Sequence, residues 1–95
     1  MAAYVLADVD VSDPALFEEY RGKVSATIQQ YGGRYIVRGG GAEVLEGEWQ
    51  PHRMVVLEFP SLARAKEWYN SPEYKPLIAL RQRAANTQVV LVEGV

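Results

Sequence analysis

Apolar and polar residues alternate along this chain at two different spacings, which predict strands and helices in turn. Four valine-rich stretches bounded by turn residues predict strands. They are Ala3–Val11, 34–38, Arg53–Phe59 and 87–93. The three glycines at 39–41 interrupt the second strand, which residues 42–45 are expected to resume after a bulge or turn. Residues 47–51 are then expected to form the hairpin loop that leads into the third strand.

Two helical regions connect these strands. The first is expected to begin at Asp13-Pro14, where a side-chain acceptor caps the helix and proline fits its first turn, and to end at Gly32-Gly33. The second opens at Pro60-Ser61, and Pro72 is expected to begin a further helical segment within it. Apolar residues recur at helical spacing in the first region at Leu16, Phe17, Tyr20, Val24, Ile28 and Tyr31. In the second region they are Leu62, Ala65, Trp68 and Tyr69, and the last segment carries Tyr74, Leu77, Ile78 and Arg81.

The predicted order is strand, helix, strand, strand, helix, strand, which is the split β-α-β plan. With right-handed crossovers, both helical regions lie on the same face of one antiparallel sheet. A chain of 95 residues and 10.6 kDa has the size of one domain. Residues 1–95 are therefore predicted to form a single α+β domain.

Three of the predicted strands are apolar on both faces, although a sheet covered on one side needs only one apolar face. In the first strand Val5 and Val9 point one way while Tyr4 and Leu6 point the other, and the third and fourth strands repeat this pattern. At roughly 25 cal/mol per Å² of apolar surface, a whole face left in water would forfeit several kcal/mol. No further segment is left to cover it, so we predict a homodimer packed sheet to sheet. The alternative is scattered surface hydrophobic residues, which are common singly.

The amino-acid composition and net charge exclude several kinds of chemistry and binding partner. The chain has no cysteine and a single histidine, His52, which excludes disulfides, thiol nucleophiles and clusters of cysteine and histidine that bind metal. A net charge of −2 argues against a nucleic-acid partner. No stretch is long enough for a membrane span, and the first residues lack the basic start of a secretory signal. We therefore expect a cytoplasmic protein that uses no metal and no cofactor.

Several stretches of the sequence resemble one family, and the most specific are PHRMVVLEFPS at 51–61 and WYNSPEY at 68–74. Residues 4–11, 34–40 and 43–47, with Trp49, extend the likeness over nearly the whole chain. Together they resemble the domain-of-unknown-function family 1330 of the dimeric α+β barrel superfamily. The resemblance implies a ferredoxin-like protomer whose sheet pairs with that of a second copy to form a barrel. It implies no particular reaction. Distant members of the superfamily include cofactor-free monooxygenases, lactone isomerases and haem proteins, so an enzymatic activity would rest on analogy.

Two acidic residues on otherwise apolar strand faces, Glu58 and Asp8, are candidate site residues. The alternation of side chains along each strand does not decide whether these two residues face the helices or the opposite side of the sheet. A carboxyl group buried in a pocket would have a raised pKa and could act as a general acid or base, which makes Glu58 a candidate catalytic residue. The alternative is a structural ion pair with Arg34, Arg38 or Arg53, and for Asp8 we favour this interpretation.

The entry to the third strand carries two further candidates. His52 is a candidate catalytic residue because its ordinary pKa lies near neutrality, although a lone histidine at a loop edge is more often simply solvated. Arg53 and Arg38 are candidate ligand-binding residues because a planar guanidinium can hold a carboxylate or phosphate. Pairing of Arg53 with Glu58 or Glu46 is the structural alternative.

Three aromatic residues border the break between the last two helical segments. Trp68 and Tyr74 are candidate ligand-binding residues, and Tyr69 is a candidate catalytic residue because a phenol can donate a hydrogen bond to a bound oxygen. Large aromatic residues at helical spacing more often pack in the core or at an interface.

Three functions compete. The first is a small-molecule enzyme or binder, acting without a cofactor in a cleft between sheet and helices. Its residues would be Glu58, His52 and Tyr69 as catalytic groups, with Arg53, Arg38, Trp68 and Tyr74 binding the ligand. The second is a non-enzymatic dimeric module, either ligand-binding or of an assembly or stress type; a filled interior without a pocket would favour the assembly or stress type. The third is an RNA-recognition domain, ranked last because the third strand lacks the paired aromatic residues of that motif.

Overall fold

The computed structural model describes residues 1–95, which form four strands and three helices. The strands are β1 (Ala3–Val11), β2 (Arg34–Gly40), β3 (Arg53–Phe59) and β4 (Ala85–Glu93). The helices are α1 (Pro14–Gln30), α2 (Leu62–Tyr69) and α3 (Lys75–Ala84). The strands form one antiparallel sheet in the order β2-β3-β1-β4. The predicted α+β architecture is confirmed, with the second helical region divided into α2 and α3.

Local sequence signals fix the ends of the helices. The Asp13 side chain caps α1 by accepting a hydrogen bond from the Leu16 backbone N–H at 3.2 Å, and Pro14 occupies the first position. Ser61 caps α2 in the same way, accepting from the Arg64 backbone N–H at 3.1 Å. The chain leaves α1 through Gly32, whose φ of +79° suits a residue without a Cβ atom.

The register of the strands gives the sheet two different faces. Val5 of β1 lies opposite Leu57 of β3 and Leu91 of β4, and these side chains point towards the helices. Leu6 of β1 lies opposite Val56 and Val90, which point to the other side. Side chains on successive residues alternate between the faces, so one residue of register separates the core from the outside.

The main hydrophobic core lies between the helices and the sheet and centres on Trp68. Its ring stacks on Tyr74 at a centroid distance of 4.0 Å and packs against Phe59 at 5.3 Å. The indole N–H donates a hydrogen bond of 3.0 Å to Thr27 Oγ1, which itself donates to the Val24 carbonyl. These hydrogen bonds join α1 to α2, and the stacked Tyr74 ring packs the turn before α3 against them.

The face of the sheet that carries no helix is apolar, and we call it the open face. Its apolar side chains are Tyr4, Leu6, Val37, Met54, Val56, Val90 and Val92. Val90 is 59% exposed and Val92 is 46% exposed, so this surface is in contact with solvent in one protomer. The two-sided apolar pattern predicted from the sequence is therefore present in the fold.

Several boundaries differ from the prediction. Residues 42–45 do not resume the second strand, because residues 41–52 form an irregular, largely exposed connection. Pro72 lies in a turn, and α3 begins at Lys75, followed by Pro76 in its first turn. The last strand begins two residues earlier than predicted, at Ala85. None of the three helices is long and apolar enough to cross a membrane.

Candidate functional site

A cavity of about 160 Å³ lies between the helices and the covered face of the sheet. Nineteen residues line it, of which fourteen are hydrophobic and none is an aspartate or glutamate. The sheet contributes the helix-facing side chains of β1, β3 and β4, among them Val5, Val55 and Val89, and α1 contributes Tyr20 and Val24. The two-residue period of the strands thus supplies one wall, and the helical period of α1 supplies another.

The second strand reaches the cavity through an irregularity in its register. Tyr35 and Arg38 lie three residues apart, so a regular strand would place them on opposite faces. The register with β3 shifts between Tyr35 and Val37, which leaves Tyr35 opposite Leu57 and Arg38 opposite Val55. Both side chains therefore line the cavity, and the Arg38 guanidinium lies 4.4 Å from the centre of the Tyr35 ring.

Three polar side chains that line the cavity, those of Arg81, Tyr74 and Tyr20, are joined by hydrogen bonds. Nη1 of Arg81 donates a hydrogen bond of 2.8 Å to the Tyr74 hydroxyl, which lies 2.8 Å from the Tyr20 hydroxyl. Arg81 is only 6% exposed and Tyr74 only 1%. Nε of Arg81 is buried without a hydrogen-bond partner. Such an orphaned donor on a buried cation is uncommon in native structures and requires an explanation.

Burial controls the protonation of these groups. Desolvation, with the neighbouring Tyr74, raises the pKa of Tyr20 far above its ordinary value. Desolvation also raises the pKa of Tyr74, against the opposing effect of Arg81. Desolvation alone would lower the pKa of Arg81, but the phenols of Tyr74, Tyr20 and Tyr69 outweigh it and the net shift is upwards. At neutral pH the group is one guanidinium cation among uncharged phenols.

Three further arginines line the cavity. Arg21 pairs with Glu18 at 2.7 Å across one turn of α1. Arg38 and Arg53 are both exposed, which places them on the solvent side of the cavity, and the Arg53 guanidinium lies 5.6 Å from the centre of the Phe17 ring. No carboxylate lies within 4.0 Å of Arg38, Arg53 or Arg81. The cavity therefore has a surplus of positive charge.

Glu58 does not line this cavity. It lies on the open face opposite Tyr4, and its carboxylate accepts from Arg34 Nη2 at 2.7 Å and Nε at 2.8 Å. Its side chain is 25% exposed. The expectation that Glu58 and Arg53 share a cleft is wrong, because one residue of register separates their faces. Of the alternatives weighed from the sequence, the geometry matches the pair with Arg34.

Asp8 and His52 also lie on the side of the open face. Asp8 accepts hydrogen bonds from the His52 backbone N–H at 2.8 Å and from the Trp49 indole at 3.0 Å. The backbone bond is the main cause of a lowered pKa at Asp8. The imidazole of His52 lies 3.6 Å from Asp8 and 3.7 Å from Asp10. This group holds the irregular connection against the sheet, and His52 does not line the cavity.

The remaining predicted site residues do line the cavity. Arg53, Arg38, Trp68, Tyr74 and Tyr69 all contribute to its wall. Trp68 and Tyr74 are also core residues, as the structural alternative proposed, whereas Tyr69 is 37% exposed and can meet both a ligand and solvent. Their roles in binding or catalysis stay predictions.

The comparison with family models identifies the chain. Its sequence matches the model of a domain of unknown function, DUF1330, over residues 2–95. The chain belongs to this family. The family predicted from the sequence is therefore confirmed, and no curated protein matches the DUF1330 chain.

Solved structures share the fold of this DUF1330 domain. A protein of unknown function from Rhodopseudomonas palustris is similar with a TM-score of 0.75 and 18% identity, over 99% of this chain and 82% of that one. A dimeric ferredoxin-like protein of unknown function from Jannaschia sp. CCS1 has a TM-score of 0.72 and 12% identity, over 99% and 100%. SnoaB, a cofactor-independent oxygenase from Streptomyces nogalater, has a TM-score of 0.63 and 14% identity, over 99% and 92%. At these identities the likeness establishes the ferredoxin-like fold.

Two polar residues of this candidate site, Arg81 and Tyr20, were not selected as site residues from the sequence. Arg81 lies seven residues after Tyr74 and four after Leu77, on the buried stripe of its helix. An arginine at a position where the helical spacing predicts a buried residue is the signal that could have identified Arg81 as a site residue, because charged residues are rarely buried without a partner. Tyr20 gave no comparable signal, since a tyrosine at helical spacing is an ordinary core residue.

The lining residues define the chemistry available in the cavity. Guanidinium and phenol groups donate hydrogen bonds and stabilise negative charge, and an environment with little water strengthens both effects. A carboxylate or imidazole that could remove a proton is absent from the lining. No group of three or more histidine, cysteine, aspartate or glutamate residues comes together to hold a metal ion.

Proposed function

We propose that this protein binds a small molecule in the cavity between its sheet and its helices, and that it does so as a homodimer. The observation that carries the proposal is a preformed, mostly apolar cavity into which Arg81, Tyr74 and Tyr20 bring polar groups. Sites for small molecules typically combine an apolar wall with a few convergent polar groups that orient the ligand. A filled interior, which would have favoured a purely structural module, is not present.

The homodimer is supported by the open face. Its apolar residues extend over all four strands, and leaving Val90 and Val92 exposed costs stability that a second copy of the same face would recover. A two-fold axis lets one patch cover itself, so no other partner is needed. The solved neighbours from Jannaschia sp. CCS1 and Thermobifida fusca are both dimeric ferredoxin-like proteins. The proposed compartment is the cytoplasm, which cell fractionation would test.

Adjacent residues on β4 allow the two parts of this proposal to be tested separately. Val89 lines the cavity, and Val90 lies on the open face. We expect Val89→Phe to fill the cavity and abolish binding of small aromatic fragments while the protein stays dimeric. We expect Val90→Glu to place like charges across the two-fold axis, so that the dimer dissociates while the cavity of the monomer remains.

Light scattering after size exclusion gives the mass, and calorimetric titration with a fragment panel gives binding. The wild-type protein should have twice the 10.6 kDa mass of one chain at micromolar concentration. A wild-type monomer would contradict the homodimer. Unchanged fragment binding by Val89→Phe, with circular dichroism showing an intact fold, would contradict the cavity as the site.

Whether the bound molecule reacts is a separate question, and the placement of Glu58 bears on it. Because Glu58 pairs with Arg34 on the open face, Glu58→Gln is expected to leave fragment binding unchanged. Tyr69 is the candidate catalytic group that lines the cavity, so Tyr69→Phe is the variant to examine for any turnover. The second candidate function, a non-enzymatic ligand-binding module, is favoured by the lack of a proton acceptor in the lining.

A further inference from the structure

We infer that the ligand of this cavity is a small organic carboxylate with an apolar body, held by Arg81 as its counter-charge; this inference rests on the proposed small-molecule site. The proposed function leaves open the charge of the ligand and the residue that recognises it, and the carboxylate and Arg81 specify both. Three observations support it: the isolation of Arg81, the charge of the lining, and the shape of the space.

Arg81 is a buried cation without an anion. Only 6% of the residue is exposed, and its guanidinium donates to the Tyr74 hydroxyl at 2.8 Å and also interacts with the Tyr69 phenol. Nε has no partner, and no carboxylate lies within 4.0 Å. Burying a charge is costly unless an opposite charge and full hydrogen bonding compensate for it. A carboxylate entering the cavity would supply both.

Groups of the protein itself do not provide the missing charge. The phenols of Tyr74 and Tyr20 are uncharged at neutral pH, since the ordinary pKa of a tyrosine lies near 10 and burial raises it further. Arg81 lies in the last turn of α3, where the carbonyl ends of the helix favour a cation. That effect is a fraction of the cost of burying an ion, and no α3 carbonyl accepts a bond from this guanidinium.

The other charges of the lining have the same sign. Arg38 and Arg53, both exposed on the solvent side and without a carboxylate partner, would attract an anion towards the entrance. The aromatic rings beside them, Tyr35 and Phe17, carry no charge and leave the guanidinium charges free to act on a ligand. All the charged groups of the lining therefore favour an anion.

The remaining space fits the body of an aromatic acid. The cavity measures about 160 Å³, and fourteen of its nineteen lining residues are hydrophobic. An apolar protein cavity of about 150 Å³ is known to hold a benzene molecule. A monocyclic aromatic carboxylate, with its ring among the valines and its charge at Arg81, matches both the volume and the polarity.

Benzoate and its neutral isostere benzamide test this inference by calorimetric titration at pH 7. We expect the wild-type protein to bind benzoate at least about tenfold more tightly than benzamide, the range of a charge-assisted hydrogen bond. Arg81→Met is expected to lose this preference while still binding benzamide, and Arg81→Lys to keep part of it. Arg64→Met, which removes an arginine paired with Glu67 outside the cavity, is the matched control and should behave as the wild type.

Each result decides between the two proposals. Equal affinity of the wild-type protein for benzoate and benzamide would overturn the carboxylate inference and leave the small-molecule site in place. Retention of the preference for benzoate by folded Arg81→Met would likewise overturn the carboxylate inference alone. Failure of the wild-type protein to bind any monocyclic aromatic compound of the panel, charged or neutral, would overturn the proposed site and the inference with it. The comparison of the two probes on the wild-type protein does not depend on any variant folding.

Discussion

Tyr20 and Tyr74 determine how this protein should respond to alkaline pH. Their hydroxyls lie 2.8 Å apart in the interior, and burial is the main reason that the pKa of each is raised. In the unfolded chain both phenols ionise near pH 10. Stability from keeping them neutral is therefore fully present below pH 10 and is lost as the pH rises above it, because only the unfolded state releases the protons.

The magnitude follows from the difference in protonation between the two states. At pH 11 an unfolded tyrosine has about ten ionised forms for each neutral one, which lowers the free energy of the unfolded state by roughly 1.4 kcal/mol. Two phenols that both stayed neutral in the native protein would give a loss of roughly 3 kcal/mol, which is the upper limit because Arg81 opposes the shift at Tyr74. A domain of this size has about 5–15 kcal/mol in total, so the effect is large enough to measure.

Urea denaturation followed by far-ultraviolet circular dichroism provides the assay, at one fixed protein concentration so that dimerisation does not distort the comparison. The free energy of unfolding is compared at pH 8 and pH 11. Tyr20→Phe is expected to reduce the alkaline loss by about 1 kcal/mol. Tyr74→Phe should reduce it less, because the nearby Arg81 already opposes the shift there. The two effects should not add, since the phenols are in contact.

An identical loss between pH 8 and pH 11 in the wild type and in both variants would refute this reasoning. It would mean that neither phenol is protected from ionisation in the folded state. The hydroxyls that line the cavity would then be open to water, which would remove the argument that Arg81 beside them is poorly solvated.

Four further predictions concern the free energy of unfolding. Thr27→Val should lower the free energy of unfolding by about 1–3 kcal/mol in urea denaturation, because the Trp68 indole N–H then stays buried without an acceptor; Thr27→Ser, which keeps the hydroxyl, should lose much less. Gly33→Ala should lower the free energy of unfolding by about 1–3 kcal/mol, since its new Cβ would lie 2.5 Å from a ring atom of Phe59. Gly22→Ala, in an open position within α1, should instead stabilise the protein by about 0.5–1 kcal/mol, and a cost there would contradict the geometry. Asp8→Asn should reduce the loss of stability on acidification. The lowered pKa of Asp8 contributes stability that is present above its ordinary pKa of 3.8 and is lost as the pH falls through the shifted value. The same dependence of the unfolding free energy on acidic pH in wild type and variant would contradict this.

Elements whose sequence signals were local could be predicted closely. Ala3–Val11 and Arg53–Phe59 have the predicted bounds, because runs rich in valine specify strands without help from distant residues. Helix α2 begins directly after Pro60-Ser61, where the second helical region was predicted to open. The start of α3 was predicted too early, at Pro72. That proline fits a first helical turn, but Pro76 fits one as well, and packing of Tyr74 against Trp68 places residues 72–74 in a turn.

The site was less accessible from sequence than the fold. Parity showed that Glu58 and Asp8 share a face, but only the packing of the helices decides which face becomes the interior. Arg38 reaches the cavity because the register between β2 and β3 shifts, and the pattern of apolar and polar residues does not predict this shift. Arg81 was visible on its helical stripe, yet its lack of an acidic partner depends on the positions of every carboxylate in the fold.

The cavity and the open face lie on opposite sides of one thin sheet. If two copies join through the open face, their ligand chambers point outwards, and neither mouth is obstructed by the other copy. Within one protomer, the helices and the covered face of the sheet already line a chamber. Occupancy should then be one ligand per chain, without cooperativity between the two halves. Evolution could alter the selectivity of the chamber through helix-facing positions such as Val89 while the pairing positions beside them, such as Val90, stay unchanged.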